Sequence, residues 1–138
     1  MRKITFLLLI LATIGIIISA CKKETETDLF ELLTTPLWTS DSLLVDGADA
    51  SGPGQILEKF KGEIKFRSDA TGYFGQYVGT WRFAVNQTQI IIITDSLPIP
   101  LVTKIVELSK QSLKLTTAYP SATIPGHDMQ IRMTFKIK

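Results

Sequence analysis

One cysteine and one histidine carry most of the reactive chemistry in this 138-residue chain, and they stand far apart. Cys21 offers a thiol, nucleophilic once ionised, set after the small Ser19 and Ala20 and just ahead of Lys22-Lys23-Glu24. His127 lies in a Pro125-Gly126-His127-Asp128 stretch. A general base needs a positioned nucleophile and an orienting group, and Asp128 is the only neighbour of that kind, so His127 reads as a solvated loop residue. A metal site needs several ligands, and Asp46-Gly47-Ala48-Asp49 is too sparse for a calcium loop. There is no Gly-rich phosphate loop and no Ser/His/Asp order. These residues predict a non-enzymatic protein with no catalytic group, metal or cofactor.

Around Cys21 the pattern is richer. Arg2 and Lys3 form a basic start, residues 4–20 an apolar translocation segment, and Ile18-Ser19-Ala20-Cys21 its end. That tetrad resembles the lipobox of bacterial lipoproteins, an aliphatic residue and two small ones before a cysteine. The resemblance implies cleavage before Cys21, a diacylglycerol on its sulfur and a third acyl chain, such as palmitate, on its freed amine. Each buried CH₂ contributes about 0.8 kcal/mol, so three chains anchor stably. An uncleaved helix is the competing reading, since the run reaches the low end of the roughly 17–25 residues that span a bilayer. Small-small-Cys followed at once by charge favours processing. The expected organisation is a signal peptide over 1–20, a lipidated tether over 21–28 and one folded domain over 29–138. It would be held at the outer membrane of a Gram-negative envelope, facing either the periplasm or the surface.

Cleavage leaves 118 residues, the size of one domain with a self-sufficient core. Losing Arg2 and Lys3 removes the formal +2 charge and leaves thirteen basic residues against thirteen acidic. Nucleic acid, which needs a basic footprint, is excluded as a partner. With Cys21 acylated no disulfide can form, and stability must come from packing. Residues 22–28 are too polar to bury and should stay solvated.

The elements that position everything else are strands. Residues 29–33 have helical spacing and stop before Pro36, predicting one short helix. Residues 38–45 form a first strand. Over 57–67, Phe60, Gly62, Ile64 and Phe66 alternate with Lys59, Lys61, Glu63, Lys65 and Arg67, the period of a half-buried strand. A hairpin over 68–72, with Gly72 at positive φ, leads to strands over 73–78 and 80–85 broken at Gly79. Asn86-Gln87-Thr88 turns the chain. Residues 90–93 are apolar on both faces and call for a cover, which the 29–33 helix would supply. Strands over 102–108, 113–117 and 129–137 complete the set. In the last, Met129, Ile131, Met133, Phe135 and Ile137 share one face.

Eight strands joined mostly by short turns predict an all-β, up-and-down antiparallel barrel, which removes exposed edges. Two packed sheets are the alternative arrangement. Leu33-Thr34-Thr35-Pro36-Leu37-Trp38 opens the first strand. Ile64-Lys65-Phe66 then runs into Asp69-Ala70-Thr71-Gly72, and Gly79-Thr80-Trp81 precedes an aliphatic strand. This pattern resembles the small lipocalin-like domains of Gram-negative envelope lipoproteins, over residues 33–138. The resemblance implies a barrel that takes a small apolar or amphipathic molecule. Trp38, Phe66, Trp81, Phe83, Met133 and Phe135 are the candidate lining, because aromatic walls suit an apolar pocket. The same side chains equally suit a barrel filled by its own core, which would leave the outer surface to dock a protein or polysaccharide. The Lys59, Lys61, Lys65 and Arg67 stripe suits either an acidic partner or cross-strand pairing.

Overall fold

The computed structural model of the chain describes residues 26–138. The expected signal peptide, the lipobox-like tetrad with Cys21 and residues 22–25 of the expected tether lie outside the described residues. Helix α1 (Glu26–Thr34) opens the described chain. It starts three residues before the predicted helix, because a single turn is too short to be held and a second gives a helix that can pack. Thr35 precedes Pro36, which disfavours helical backbone, and the helix stops there.

One sheet follows and closes on itself. Strands β1 (Trp38–Val45), β3 (Glu63–Phe66), β4 (Thr71–Phe74), β5 (Tyr77–Ala84), β6 (Gln89–Thr94), β7 (Leu101–Leu108), β8 (Ser112–Pro120) and β9 (Asp128–Ile137) pair in that order. Pairing of β9 with β1 then shuts an eight-stranded antiparallel barrel. A two-residue β2 (Ala48–Asp49) folds back on the end of β1. Closure excludes the two-sheet alternative.

Three predicted boundaries move, each for a steric reason. Residues 57–67 are not one strand: a 3-10 turn (Glu58–Phe60) precedes β3, and Gly62 at φ 112° lets the chain turn into it. The break placed at Gly79 falls instead at Gly75-Gln76, where Gly75 has φ 63° and its backbone lies against Lys59 and Phe60. Gly79 sits inside β5, where a Cβ would strike the Ile93 carbonyl. Gly72 likewise lies within β4, and Ala70 takes the positive φ of that hairpin.

The barrel has two different ends. At the lower end lie α1, the start of β1 and the 67–70 and 85–88 turns. At the upper end lie residues 46–62, the Gly75-Gln76 turn and the 95–100 and 121–127 loops. β1 extends above its last pairing with β3, at Thr39↔Glu63, to Val45. Residues 46–62 fill that shorter side, burying Ala50, Leu57 and Phe60 in the same core as Leu43 and Tyr77.

The predicted cover over 90–93 is corrected. Helix α1 packs at the barrel's lower end, reaching β3 and β7, while Ile93 remains exposed on the outside. Residue parity explains why no cover forms: Ile90 and Ile92 point inward, Ile91 and Ile93 outward, and the helix spends its apolar side, Phe30 and Leu33, on the interior.

Candidate functional site

Period-two alternation carries one side chain in two from each strand into the barrel. Of the predicted lining, Trp38, Phe66, Trp81, Met133 and Phe135 are buried to 4% exposure or less, and Phe83 is half-buried against them. Phe66 meets Phe74 at 5.2 Å and Trp81 at 5.5 Å between ring centroids, both edge to face. Trp81 meets Phe83 at 5.5 Å in the same way. Such offset arrangements add to the area term that makes aromatic burial strongly stabilising.

These residues form a sealed lower half. The Trp38 indole donates to the Leu33 carbonyl at 3.1 Å, and the Trp81 indole to the Arg67 carbonyl at 3.0 Å. Phe30 of α1 stacks obliquely on Trp81 at 5.9 Å. Lys65, on the outer face of β3, donates to the Thr34, Thr35 and Pro36 carbonyls at 2.6, 2.9 and 3.0 Å. A cation there satisfies carbonyls left open at the helix C-terminus and complements its dipole. The exposure of Trp38, Leu113 and Phe135 is 1% or less.

The upper half differs in kind. Phe60 packs on Tyr77 at 4.7 Å, so residues 46–62 place an aromatic ring over the mouth. Two buried side-chain oxygens there, Thr94 Oγ1 and Tyr119 Oη, have no hydrogen-bond partner within the protein. Buried polar atoms in native folds are nearly always paired. The other buried threonine obeys that rule, with Thr103 Oγ1 donating to the Ile90 carbonyl at 2.9 Å. Burial, and then the neighbouring Tyr119, raise the Tyr77 phenol above its ordinary pKa. Thr94 lies opposite Gly79, two residues along β5 from Tyr77. Sequence reasoning passed over all three, although Thr94 continues the parity of Ile90 and Ile92, and Tyr119 that of Leu113 and Leu115.

Outside the barrel, Thr34, Thr35, Lys65, Arg67, Ser68 and Asp69 line an open cleft of about 530 Å³. Its charges are already engaged: Lys65 on the helix carbonyls, Arg67 over the Tyr73 ring at 5.6 Å, Asp69 on Thr71. Glu63 of the basic stripe pairs with Lys138. The His127 ring stands 3.6 Å from the Asp46 carboxylate, both half in solvent. Asp46 also accepts from the Gln130 amide and Asp49 from Ser51, so these carboxylates hold turns. Among the described residues no group of three or more His, Cys, Asp or Glu could hold a metal ion.

No protein-family model matches the chain, and no curated protein matches it. Among solved structures it is similar to the bovine odorant binding protein, a lipocalin solved in complex with a selenium-containing odorant. The two share 16% identity over 86% of this chain and 78% of that one, with a TM-score of 0.53. The likeness is one of fold, a lipocalin-like eight-stranded barrel.

Proposed function

We propose that this chain is a lipid-anchored envelope protein that takes a small apolar or amphipathic molecule into the upper half of its barrel. The observation that carries the reading is the asymmetry of the two ends. The lower end is bolted by α1, two indole hydrogen bonds and the Lys65 cap, whereas the upper end is covered by a loop that supplies Leu57 and Phe60. Those side chains fill the space a ligand would need. Uptake therefore requires residues 46–62 to move aside, and ligand surface replaces Leu57 and Phe60 against Tyr77. The likeness to a barrel solved with an odorant supports the same direction. No catalytic chemistry belongs to this reading.

Binding to the folded state alone raises the melting temperature with ligand concentration by mass action. A fluorescent apolar probe should bind residues 22–138 at about one per chain and raise the melting temperature. Leu57→Ala should bind it more tightly while melting lower. A panel of apolar probes that leaves the melting temperature unchanged would overturn the reading. The anchor is tested separately: Cys21→Ser should accumulate as unprocessed, unlipidated precursor, and mature-sized, lipid-labelled protein in that strain would refute it.

One observation favours a second reading. The tight packing of the lower and middle barrel suits a solid body, and Val78, Ile93 and Val102 lie exposed on the outer faces of β5, β6 and β7. A solid barrel would act through that surface, docking a protein or polysaccharide.

A further inference from the structure

We propose that Thr94 and Tyr119 form a neutral hydrogen-bonding anchor at the upper end of the barrel. The anchor selects amphipathic molecules whose polar end is an uncharged oxygen function, such as a ketone, ester or alcohol, over ionised carboxylates. This rests on the reading that the barrel takes up an apolar molecule, and it names what that molecule must carry.

Two buried hydroxyl oxygens without partners are costly, since each gives up its water hydrogen bonds for nothing. Both sit at the same end of an otherwise apolar interior. The pairing Ile92↔Leu101 places Thr94 just beyond that level on β6. Counting on from Lys104↔Thr116 brings Tyr119 beside Leu101 on β8. Tyr77, at the start of β5, belongs to this end too, next to the Gly75-Gln76 turn. The loop burying Leu57 and Phe60 shields this end from water.

The chemistry of the anchor follows from what is missing around it. Among the described residues, every side chain in the buried core is uncharged, the basic residues lying on outer faces or loops. A carboxylate brought into that core would be desolvated with no buried cation to pair with, at a cost of several kcal/mol. A carbonyl or ester oxygen needs only a donor, and the Thr94 and Tyr119 hydroxyls are donors lacking acceptors. The pair thus rewards a neutral acceptor and penalises an anion.

A competition series tests this with the folded domain, residues 22–138, and a bound fluorescent apolar probe. Four competitors of equal chain length are compared at pH 8: an alkane, a primary alcohol, a methyl ketone and a fatty carboxylate. The ketone and alcohol should displace the probe about tenfold more effectively than the alkane, the carboxylate least of all. Thr94→Val and Tyr119→Phe should each reduce the ketone's advantage severalfold while leaving the alkane unchanged. Equal displacement by alkane and ketone, or unaltered ketone preference in both variants, would overturn the anchor and leave barrel binding standing. The best displacement by the carboxylate would overturn it too. A barrel that binds neither probe nor competitor would sink both. Variants that melt lower with unchanged ligand preference would assign the hydroxyls to an internal water and overturn the anchor.

Discussion

Trp38 and Tyr119 show how differently two aromatic residues of one barrel are held. Trp38 is fully buried with its indole satisfied, so Trp38→Ala should cost about 3–5 kcal/mol in denaturant melts. That is a large share of the roughly 5–15 kcal/mol available to a domain of this size. Tyr119→Phe and Thr94→Val work the other way. Each removes an oxygen with no partner, and each should raise stability by about 1 kcal/mol, because an unmet buried donor costs more than its absence. A gain of stability on deleting a polar group is the mark of a residue kept for something other than the fold. Tyr77 adds a pH signature. Its folded pKa lies above the ordinary value of 10.0, mainly through burial. The unfolded chain therefore releases this proton first as pH rises. The Tyr77 contribution is complete below pH 10 and lost as pH climbs through the folded value. Melts across that range should show alkaline loss, and Tyr77→Phe should flatten it.

Elements show where sequence patterns are sufficient and where they are not. The parity of β9, from Met129 to Ile137, is readable because one face is buried and one solvated, and the strand stands where alternation puts it. Parity fails between residues 57 and 62, where Phe60 and Gly62 keep the period although the backbone is a 3-10 turn. There a fixed approach to Gly75 and Tyr77 overrides the local pattern. Glycine was equally ambiguous: the same residue type marks a turn at Gly75 and a close strand approach at Gly79. Which role applies depends on the neighbouring strand, invisible before pairing is known. Gly79→Ala should therefore cost about 1–3 kcal/mol through overpacking against β6, measured by chemical denaturation. The helix is a further case, since its length and place depend on the barrel mouth it plugs. Lys65→Met, which strips a cation from three carbonyls, should lower stability by about 1 kcal/mol, the charged hydrogen bonds being partly screened by solvent. Hydrogen exchange should localise that loss to α1.

At the scale of the whole molecule, the closed barrel was legible from strand count and from the apolar inner faces. Which end admits a ligand was not, because it depends on α1 bolting one mouth and residues 46–62 covering the other. That asymmetry sets the central claim, entry at the upper end against docking on the outer wall. Isotope-labelled residues 22–138 titrated with a methyl ketone of detergent length would decide it by residue-resolved NMR. Saturable shifts are expected at Leu57, Phe60, Tyr77, Thr94, Leu101 and Tyr119, with Trp38 and Phe135 in the lower half unmoved. Shifts confined to Val78, Ile93 and Val102 on the outer wall, or no saturable shift at all, would contradict the account.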